Sequence, residues 1–164
     1  MRLTVYTDYA LRMLMYLAVK GEGGGLATIA EVAKAFGISK AHLNKVAHQL
    51  GIGGYVQTTR GKGGGLRLAR PADEVGLGDV VRYLEPDMAL VPCFDPIHAP
   101  CPITPACGLR GALDAAQQAF LAALDGYNLA DLVRRRDELG ALLGRDHAAC
   151  NPNARSVGAT VQAS

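Results

Sequence analysis

The stretch that decides the fold runs from residue 28 to residue 50 and reads TIAEVAKAFGISKAHLNKVAHQL. Thr28 and Glu31 have the spacing of a capping box, in which each residue bonds the backbone of the other. A short helix is therefore predicted from about Thr28 to Phe36, and Gly37 stops it. Its apolar positions recur at helical spacing and predict a buried face, formed by Ile29, Val32, Ala33 and Phe36.

A second helix follows directly and is predicted over about residues 39–50, with Ser39 as its N-cap. Its apolar stripe consists of Leu43, Val46, Ala47 and Leu50. Its polar residues stay available to solvent or to a ligand, and they are Lys40, Asn44, Lys45, His48 and Gln49. Helix, short turn and helix form the helix-turn-helix motif, whose second helix enters the major groove of DNA.

A β-hairpin is predicted immediately afterwards. Residues 55–59 form the first strand and residues 66–69 the second, with the turn RGKGGG at residues 60–65 between them. A hairpin in this position is the wing of a winged helix. The expected fold class is therefore mainly α with a small β-hairpin: a winged helix-turn-helix joined to a long dimerisation helix.

The remaining predicted helices precede and follow this motif. A first helix is predicted to open at Thr7 or Asp8, both good N-caps, and to end before Gly21. A fourth helix is predicted to begin at Pro71 or Asp73 and to run to about Leu84. The segment from there to Pro105 is rich in proline and cysteine and is predicted to be a loop.

The C-terminal part is predicted to hold a dimerisation helix and a last helix. Apolar residues at intervals of four and three predict a seam that packs lengthwise on another helix, formed by Leu109, Leu113, Ala116, Phe120 and Ala123. Asn128 is expected to cap a last helix over about residues 129–143, ending near Gly144. The predicted organisation is a DNA-binding domain, a cysteine-rich loop, dimerisation and C-terminal helices, and a flexible tail, at residues 1–85, 86–108, 109–145 and 146–164.

Composition indicates a soluble globular protein. Apolar residues make up 49% of the 164 residues, enough for a packed core. No apolar run reaches the length of a membrane span, and the N-terminus lacks a signal peptide. We therefore expect a cytoplasmic protein without a membrane partner.

Charge is distributed unevenly along the chain. Residues 1–70 carry 10 Lys and Arg against 3 Asp and Glu, a net charge of +7, whereas residues 71–164 carry 7 against 12, a net charge of −5. A basic N-terminal half favours a polyanionic partner such as DNA, although a solvated basic face would look the same.

The candidate DNA contacts lie at the start of the recognition helix and on the wing. Lysine, asparagine and glutamine carry donors that match guanine or adenine edges. Arginine and lysine on the wing can bind phosphate or enter the minor groove, and glycines allow close approach of the backbone. A glycine-rich turn has a simpler explanation as well, since it also arises where the backbone of the turn needs only a positive φ. The full candidate set is Thr28, Ser39, Lys40, His42, Asn44, Lys45, His48, Gln49, Arg60, Lys62, Gly63 and Gly64.

Three cysteines lie close together, namely Cys93, Cys101 and Cys107, while Cys150 stands alone near the end. Cytosolic thiols stay reduced, so a trio indicates metal or redox chemistry rather than disulfides. Thiolates select iron–sulfur clusters, zinc or copper, and the spacing differs from the paired motifs of zinc ribbons. The residues alone therefore leave three interpretations of the trio open: an iron–sulfur cluster, a zinc ion and redox-reactive thiols.

An iron–sulfur cluster normally takes four protein ligands, so the trio lacks one. Asp95 and His98 are near in sequence and Cys150 is distant. Asp8 could reach in from another subunit, although it equally suits a helix cap, and a loop histidine such as His98 is often only solvated.

Four motifs together resemble the Rrf-type iron–sulfur winged-helix regulators, and within them the members that respond to nitric oxide. The motifs are LTVYTDYALR at 3–12, RGKGGGLRL at 60–68, GDVVRYLEP at 78–86 and CPITPACGL at 101–109. The resemblance extends from Met1 to about Leu143.

The resemblance implies a homodimer on a palindromic double-stranded operator, acting as a repressor that releases DNA when nitric oxide damages its cluster. It implies cluster ligation by Cys93, Cys101 and Cys107, with 4Fe-4S as the expected type and 2Fe-2S as the alternative. It also favours Asp8 of the partner subunit as the fourth ligand, and a related branch with a histidine ligand keeps His98 as the alternative.

Two other classes of regulator and one class of enzyme compete with this interpretation. The chain could be a general redox or iron–sulfur-status regulator, or a zinc-binding or thiol-based one. An iron–sulfur oxidoreductase is disfavoured because the sequence has no nucleotide-binding glycine motif and no catalytic triad or paired carboxylates. We therefore expect a regulator and not an enzyme.

Overall fold

The computed structural model describes residues 3–21, 25–85, 87–94 and 101–144. The helices are α1 (Val5–Gly21), α2 (Ile29–Phe36), α3 (Lys40–Ile52), α4 (Leu77–Leu84), α5 (Gly108–Asp125), α6 (Leu129–Leu132) and α7 (Arg136–Leu143). The strands are β1 (Val56–Thr59) and β2 (Gly65–Leu68), and three short 3₁₀ turns lie at Ala72–Glu74, Pro92–Phe94 and Thr104–Ala106. The predicted tail, Asp95, His98 and Cys150 lie outside the described residues. In the described part of the chain, no helix has the length and apolar character needed to cross a bilayer.

The helix-turn-helix forms as its local sequence predicts. The Thr28 hydroxyl accepts a hydrogen bond from the Glu31 amide while the Glu31 carboxylate accepts one from the Thr28 amide, which confirms the capping box. Gly37 ends α2 at a φ of +65°, in the left-handed region that glycine adopts readily. Ser39 then caps α3 by accepting a hydrogen bond from the His42 amide.

The wing is an antiparallel pair in which Val56 lies opposite Leu68 and Thr59 opposite Gly65. Its turn depends on glycine for space as well as for conformation. A Cβ at Gly64 would lie 2.3 Å from the carbonyl oxygen of Thr59. The mainly helical fold with one small hairpin is therefore confirmed, and its turn is too tight for larger residues.

Helix α1 runs through the centre of the core and contacts both α3 and β2. Its inward face is almost fully buried and consists of Tyr9, Ala10, Met13, Leu14, Leu17 and Ala18. The α3 stripe of Leu43, Val46, Ala47 and Leu50 is buried as predicted. Because burial of one large aliphatic side chain contributes roughly 1.5–3 kcal/mol, this shared core fixes α1 against the DNA-binding elements.

The predicted start of α1 is wrong. The helix begins at Val5, and Thr4 is the cap: its hydroxyl accepts a hydrogen bond from the Thr7 amide and its carbonyl from the Asp8 amide. Thr7 is buried inside the first turn. At the other end the helix includes Gly21, one residue beyond the expected end.

The fourth and the last predicted helices are each divided in two. The 3₁₀ turn Ala72–Glu74 is separated from α4 because Gly76 is extended and forms a β-bridge with Asn128. Asn128 caps a helix as predicted, with Asp131 completing a capping box, but that helix ends at Leu132 and α7 begins at Arg136. A contact distant in sequence therefore interrupts the first of these two helices.

Helix α5 is the long helix that the sequence predicts, about 27 Å at 1.5 Å per residue. None of its residues is fully buried within one protomer. It lies against α4, where the Arg82 guanidinium makes two hydrogen bonds to the Asp125 carboxylate, at 2.7 and 2.6 Å. A Cβ at Gly78 would overlap the Asp125 carboxylate, so the close approach of the two helices needs glycine there.

Candidate nucleic-acid interface and cysteine segment

The outer face of α3 is a row of polar side chains. Those predicted to meet DNA that are exposed in the structure are Lys40, His42, Asn44, Lys45 and His48. Ser39 and Thr28 are exposed at the N-termini of α3 and α2, where their hydroxyls serve as caps. The Ser39 hydroxyl also lies 3.0 Å from Nδ1 of His42, which orients that imidazole at the start of the recognition helix.

Gln49 departs from this set. Its side-chain amide donates a hydrogen bond to the Tyr83 hydroxyl at 2.9 Å, and that hydroxyl donates to the Gln49 carbonyl at 2.9 Å. The expectation that Gln49 stays available is therefore wrong. Its side chain is half-buried and joins α3 to α4, so it is excluded from the DNA contacts proposed below.

The wing tip presents two cations on an exposed glycine-rich turn. Arg60, Lys62 and Gly63 are exposed, and Gly64 is half-buried where the turn is tightest. Gly61 and Gly63 have φ values of +104° and +80°, so the turn also satisfies the simpler explanation that glycine is needed for its backbone. The same glycines would therefore serve both the backbone conformation of the turn and a close approach to DNA.

Two tyrosines of α1 contact the recognition helix, and sequence reasoning missed both. The Tyr6 hydroxyl donates a hydrogen bond to the Lys45 carbonyl at 3.0 Å, and the rings of Tyr9 and His42 have centroids 6.1 Å apart. Their only signal in the sequence is their position beside Thr7 and Asp8 in the first motif. The N-terminal end of α1 thus touches α3 at His42 and Lys45, two residues of the candidate DNA-contact set.

Thr4, the cap of α1, is bonded to the residue directly before the cysteine segment, which we define as residues 86–107. Glu85, the last residue before that segment, is 8% exposed and accepts hydrogen bonds from the Thr4 amide at 2.6 Å and the Thr4 hydroxyl at 2.8 Å. Burial alone raises the pKa of Glu85, but hydrogen bonds from the Thr7 hydroxyl and from Thr4 outweigh it, and the net pKa lies below its ordinary value.

The three clustered cysteines are free and occupy different local structures. Cys93 is half-buried in the 3₁₀ turn Pro92–Phe94, and Cys101 is exposed. Cys107 is the N-cap of α5, where its sulfur accepts a hydrogen bond from the Arg110 amide at 3.4 Å. The Arg110 guanidinium lies 6.0 Å from the ring centroid of Phe94, so the turn that holds Cys93 faces the start of α5.

The chemistry of these donors fits a metal centre, but the described geometry does not assemble one. Among the residues that the structure describes, no three His, Cys, Asp or Glu side chains converge as metal ligands. Residues 95–100, with Asp95 and His98, lie outside the described residues between Cys93 and Cys101. Free thiols, one of them at a helix N-terminus, are suitable ligands for an iron–sulfur cluster or for zinc, and the ligand set stays a prediction.

Asp8 lies in the first turn of α1 and forms an ion pair with Arg12, one helical turn further on, at 2.9 Å. Its side chain is 41% exposed. Within one protomer its carboxylate is thus bonded to Arg12 and is not a cap for its own helix. Its assignment as a ligand concerns the partner subunit and stays a prediction.

Comparison with known proteins identifies the family. The family model Rrf2, described as iron-dependent transcriptional regulator, matches residues 3–135. The chain belongs to the Rrf2 family. The HTH-type transcriptional regulator NsrR of Bacillus subtilis (strain 168) is 46% identical over 143 residues, which cover 87% of this chain and 97% of that protein. Protein aau3 of Rhizobium meliloti (strain 1021) is also 46% identical, over 88% of this chain and 92% of its own.

Solved structures of similar proteins support the fold. CymR, the global cysteine regulator of B. subtilis, gives a TM-score of 0.66 at 24% identity, covering 82% of this chain and 98% of its own. IscR of T. potens gives 0.65 at 22% identity, covering 84% and 90%. The chain is accordingly an NsrR-like transcriptional regulator of the Rrf2 family, and its homologues are regulators rather than enzymes.

Proposed function

We propose that this chain is a cytoplasmic, homodimeric repressor that binds a palindromic operator and releases it when nitric oxide damages an iron–sulfur cluster. The family description names iron, and the resemblance of the motifs implies nitric oxide as the signal. The cluster ligands are Cys93, Cys101 and Cys107, with 4Fe-4S the expected type and 2Fe-2S the alternative. The proposed DNA contacts are Thr28, Ser39, Lys40, His42, Asn44, Lys45, His48, Arg60, Lys62, Gly63 and Gly64.

One observation carries the proposal: the N-terminal end of α1, with its cap Thr4, contacts both the residue directly before the cysteine segment and the recognition helix. Thr4 bonds Glu85, and Tyr6 bonds the Lys45 carbonyl on α3. A change in the cysteine segment that displaces Glu85 therefore acts on the residues that position α3. An allosteric regulator needs such a connection between its signal site and its DNA site.

The dimer is supported by the apolar surface of α5. Leu109 is 66% exposed, and Ala116 and Ala123 are exposed as well. Leu113 and Phe120 are half-buried against the same protomer, so the predicted seam is partly shared with the protomer's own core. A long helix with this much exposed apolar surface is stabilised by packing on a second copy.

Cluster iron supplies a site that nitric oxide binds. The three cysteines would hold it, and Asp8 of the partner subunit would complete its coordination. An oxygen ligand is a weaker partner than a thiolate for such iron, so Asp8 would hold it less firmly than the three thiolates would. Within a protomer the Asp8 carboxylate pairs with Arg12, so the same carboxylate has a second partner in its own helix.

Anaerobic purification followed by optical spectroscopy tests the proposal, with an operator selected in vitro from random-sequence DNA. We expect a brown protein whose operator affinity falls after addition of nitric oxide in an amount stoichiometric with the cluster. A colourless protein that contains zinc would contradict the cluster. A coloured protein that responds to oxidants but keeps its operator after nitric oxide would instead indicate a general redox regulator.

A further inference from the structure

A cavity of about 540 Å³ lies between the DNA-binding half and the C-terminal helices. The end of α1, strand β2 with the residues that follow it, and the helices α6 and α7 form its walls. Its volume falls within the range of roughly 300–1,000 Å³ that small-molecule sites in proteins occupy. None of its lining residues belongs to the cysteine segment.

The inner wall of the cavity is apolar. Leu17 and Ala18 of α1 are 2% and 3% exposed and form the part nearest the core. Leu68, Ala72 and Ala130 line the adjoining walls. A ligand that fills this space is therefore expected to have a compact apolar body.

The cavity is also lined by the guanidinium groups of Arg67 and Arg70 and by the carboxylate of Asp73. Arg67 donates two hydrogen bonds to the side-chain oxygen of Gln57, at 2.9 and 2.7 Å, which fixes its direction. The excess positive charge selects an anion, and guanidinium groups match the planar geometry of a carboxylate.

Arg70 is held by a second contact: its guanidinium carbon lies 4.8 Å from the centroid of the Tyr55 ring. Stacking of this kind leaves guanidinium N–H groups free to donate in the ring plane. Arg67 and Arg70 are thus both fixed in position before any ligand arrives. Such fixed donors reduce the ordering cost of binding.

We infer that this cavity binds a small organic anion, a carboxylate on a compact apolar body, and that its occupancy alters operator affinity. Leu68 and Arg67 belong to β2, the returning strand of the wing, so a ligand in the cavity contacts the wing directly. This function is additional to the proposed response of the cysteine segment. The two proposals can be tested separately, because the cavity and the cysteine segment share no residue.

Titration calorimetry of the full chain with 2-naphthoate tests the inference, and 2-naphthamide provides an uncharged ligand of the same shape. We expect saturable binding of one naphthoate per chain. Naphthoate should bind about tenfold more tightly than naphthamide, because hydrogen bonds to charged groups are stronger than neutral ones.

Three variants locate the site. Arg67→Gln and Arg70→Gln should each weaken naphthoate binding about tenfold and leave naphthamide binding nearly unchanged. Ala130→Leu fills part of the cavity without changing its charge and should weaken both ligands. Arg135→Gln is the matched control, because Arg135 pairs with Glu138 and does not line the cavity.

Absence of saturable naphthoate binding by the wild-type chain overturns the inference, as does equal affinity for the two ligands. Equal binding by wild type and Ala130→Leu overturns it as well, and this variant tests the site even if an arginine variant fails to fold. Operator affinity measured with and without naphthoate should differ in the wild type and not in Ala130→Leu. An unchanged operator affinity in the wild type overturns the regulatory part.

Discussion

The Glu85 carboxylate and the Thr4 backbone amide lie 2.6 Å apart, although 81 residues separate them in the chain. Their hydrogen bond joins the end of α4 to the first turn of α1. The N-terminal end of α1 also contacts α3, through Tyr6 and Tyr9. A buried carboxylate directly before the cysteine segment is thus connected, through the N-terminal end of α1, to the recognition helix.

Replacing Glu85 with Gln should destabilise the fold by about 1.5–3 kcal/mol, because it removes charge-assisted hydrogen bonds from a buried position. It should also reduce the difference in operator affinity before and after nitric oxide. Chemical denaturation and DNA titration measure the two effects. Glu74→Gln, at an exposed position, is the control, and equal stability of the two variants would argue against the connection.

The pH dependence of stability should report the same carboxylate. The pKa of Glu85 in the folded chain lies below its ordinary value, so its contribution to stability is full above the unfolded pKa of about 4.5 and is lost as pH falls through the folded pKa. The free energy of unfolding of the wild type should therefore approach that of Glu85→Gln in acid. Denaturation curves from pH 7 to pH 3 measure this, and a constant difference over the range would contradict it.

Lys45→Ala and Arg60→Ala should weaken operator binding without changing the optical spectrum. Both residues are exposed, one on α3 and one on the wing. A lost phosphate contact lowers the slope of log affinity against log salt by about one, whereas a lost base contact costs about 1–3 kcal/mol and relaxes specificity at one position. Gln49→Ala is the contrasting variant: because the Gln49 side chain is bonded to Tyr83, its loss should remove no direct DNA contact. Unchanged affinity in both basic variants would disprove this interface.

Replacing Cys93, Cys101 or Cys107 with Ala should abolish stable cluster binding, and Cys150→Ala should not. The first three lie on one segment that precedes α5, whereas Cys150 follows the last helix by several residues. Iron and sulfide content of anaerobically purified variants gives the answer. Equal loss of iron from the Cys150 variant would require a different ligand set.

The sequence predicted features that depend on neighbouring residues. Helix caps at Thr28, Ser39 and Asn128 formed because each bonds a backbone amide three residues away. Interruptions depend on distant partners: Gly76 is extended because it pairs with Asn128, 52 positions further along the chain. No local pattern records such a pairing, and none records the bond between Glu85 and Thr4.

The residues of the candidate site also divide into those placed by local sequence and those placed by distant contacts. Helical periodicity was enough to place Lys40, Asn44 and Lys45 on the exposed side of α3, since one face of the helix had to be buried. Gln49 lies at the edge of that face, and only the tertiary contact with Tyr83 decides where its amide points. The first turn of α1 was misplaced because three residues, Thr4, Thr7 and Asp8, are all good caps and sequence alone does not choose among them.

Asp8 provides the sharpest test of the cross-subunit ligand. Since Thr4 caps α1, replacement of Asp8 removes no cap but does remove the ion pair with Arg12 within its own protomer, an interaction of about 0.3–0.5 kcal/mol. If Asp8 of the partner subunit ligates the cluster, Asp8→Asn should keep three thiolate ligands but alter the optical spectrum, the rate of reaction with nitric oxide and the loss of operator affinity. Arg12→Gln removes the same ion pair and keeps the carboxylate, so it should retain the wild-type spectrum. Anaerobic stopped-flow measurements on both variants separate the two roles. Identical behaviour of Asp8→Asn and Arg12→Gln would mean that the carboxylate acts only through Arg12, and His98→Ala would then be the variant to test for the fourth ligand.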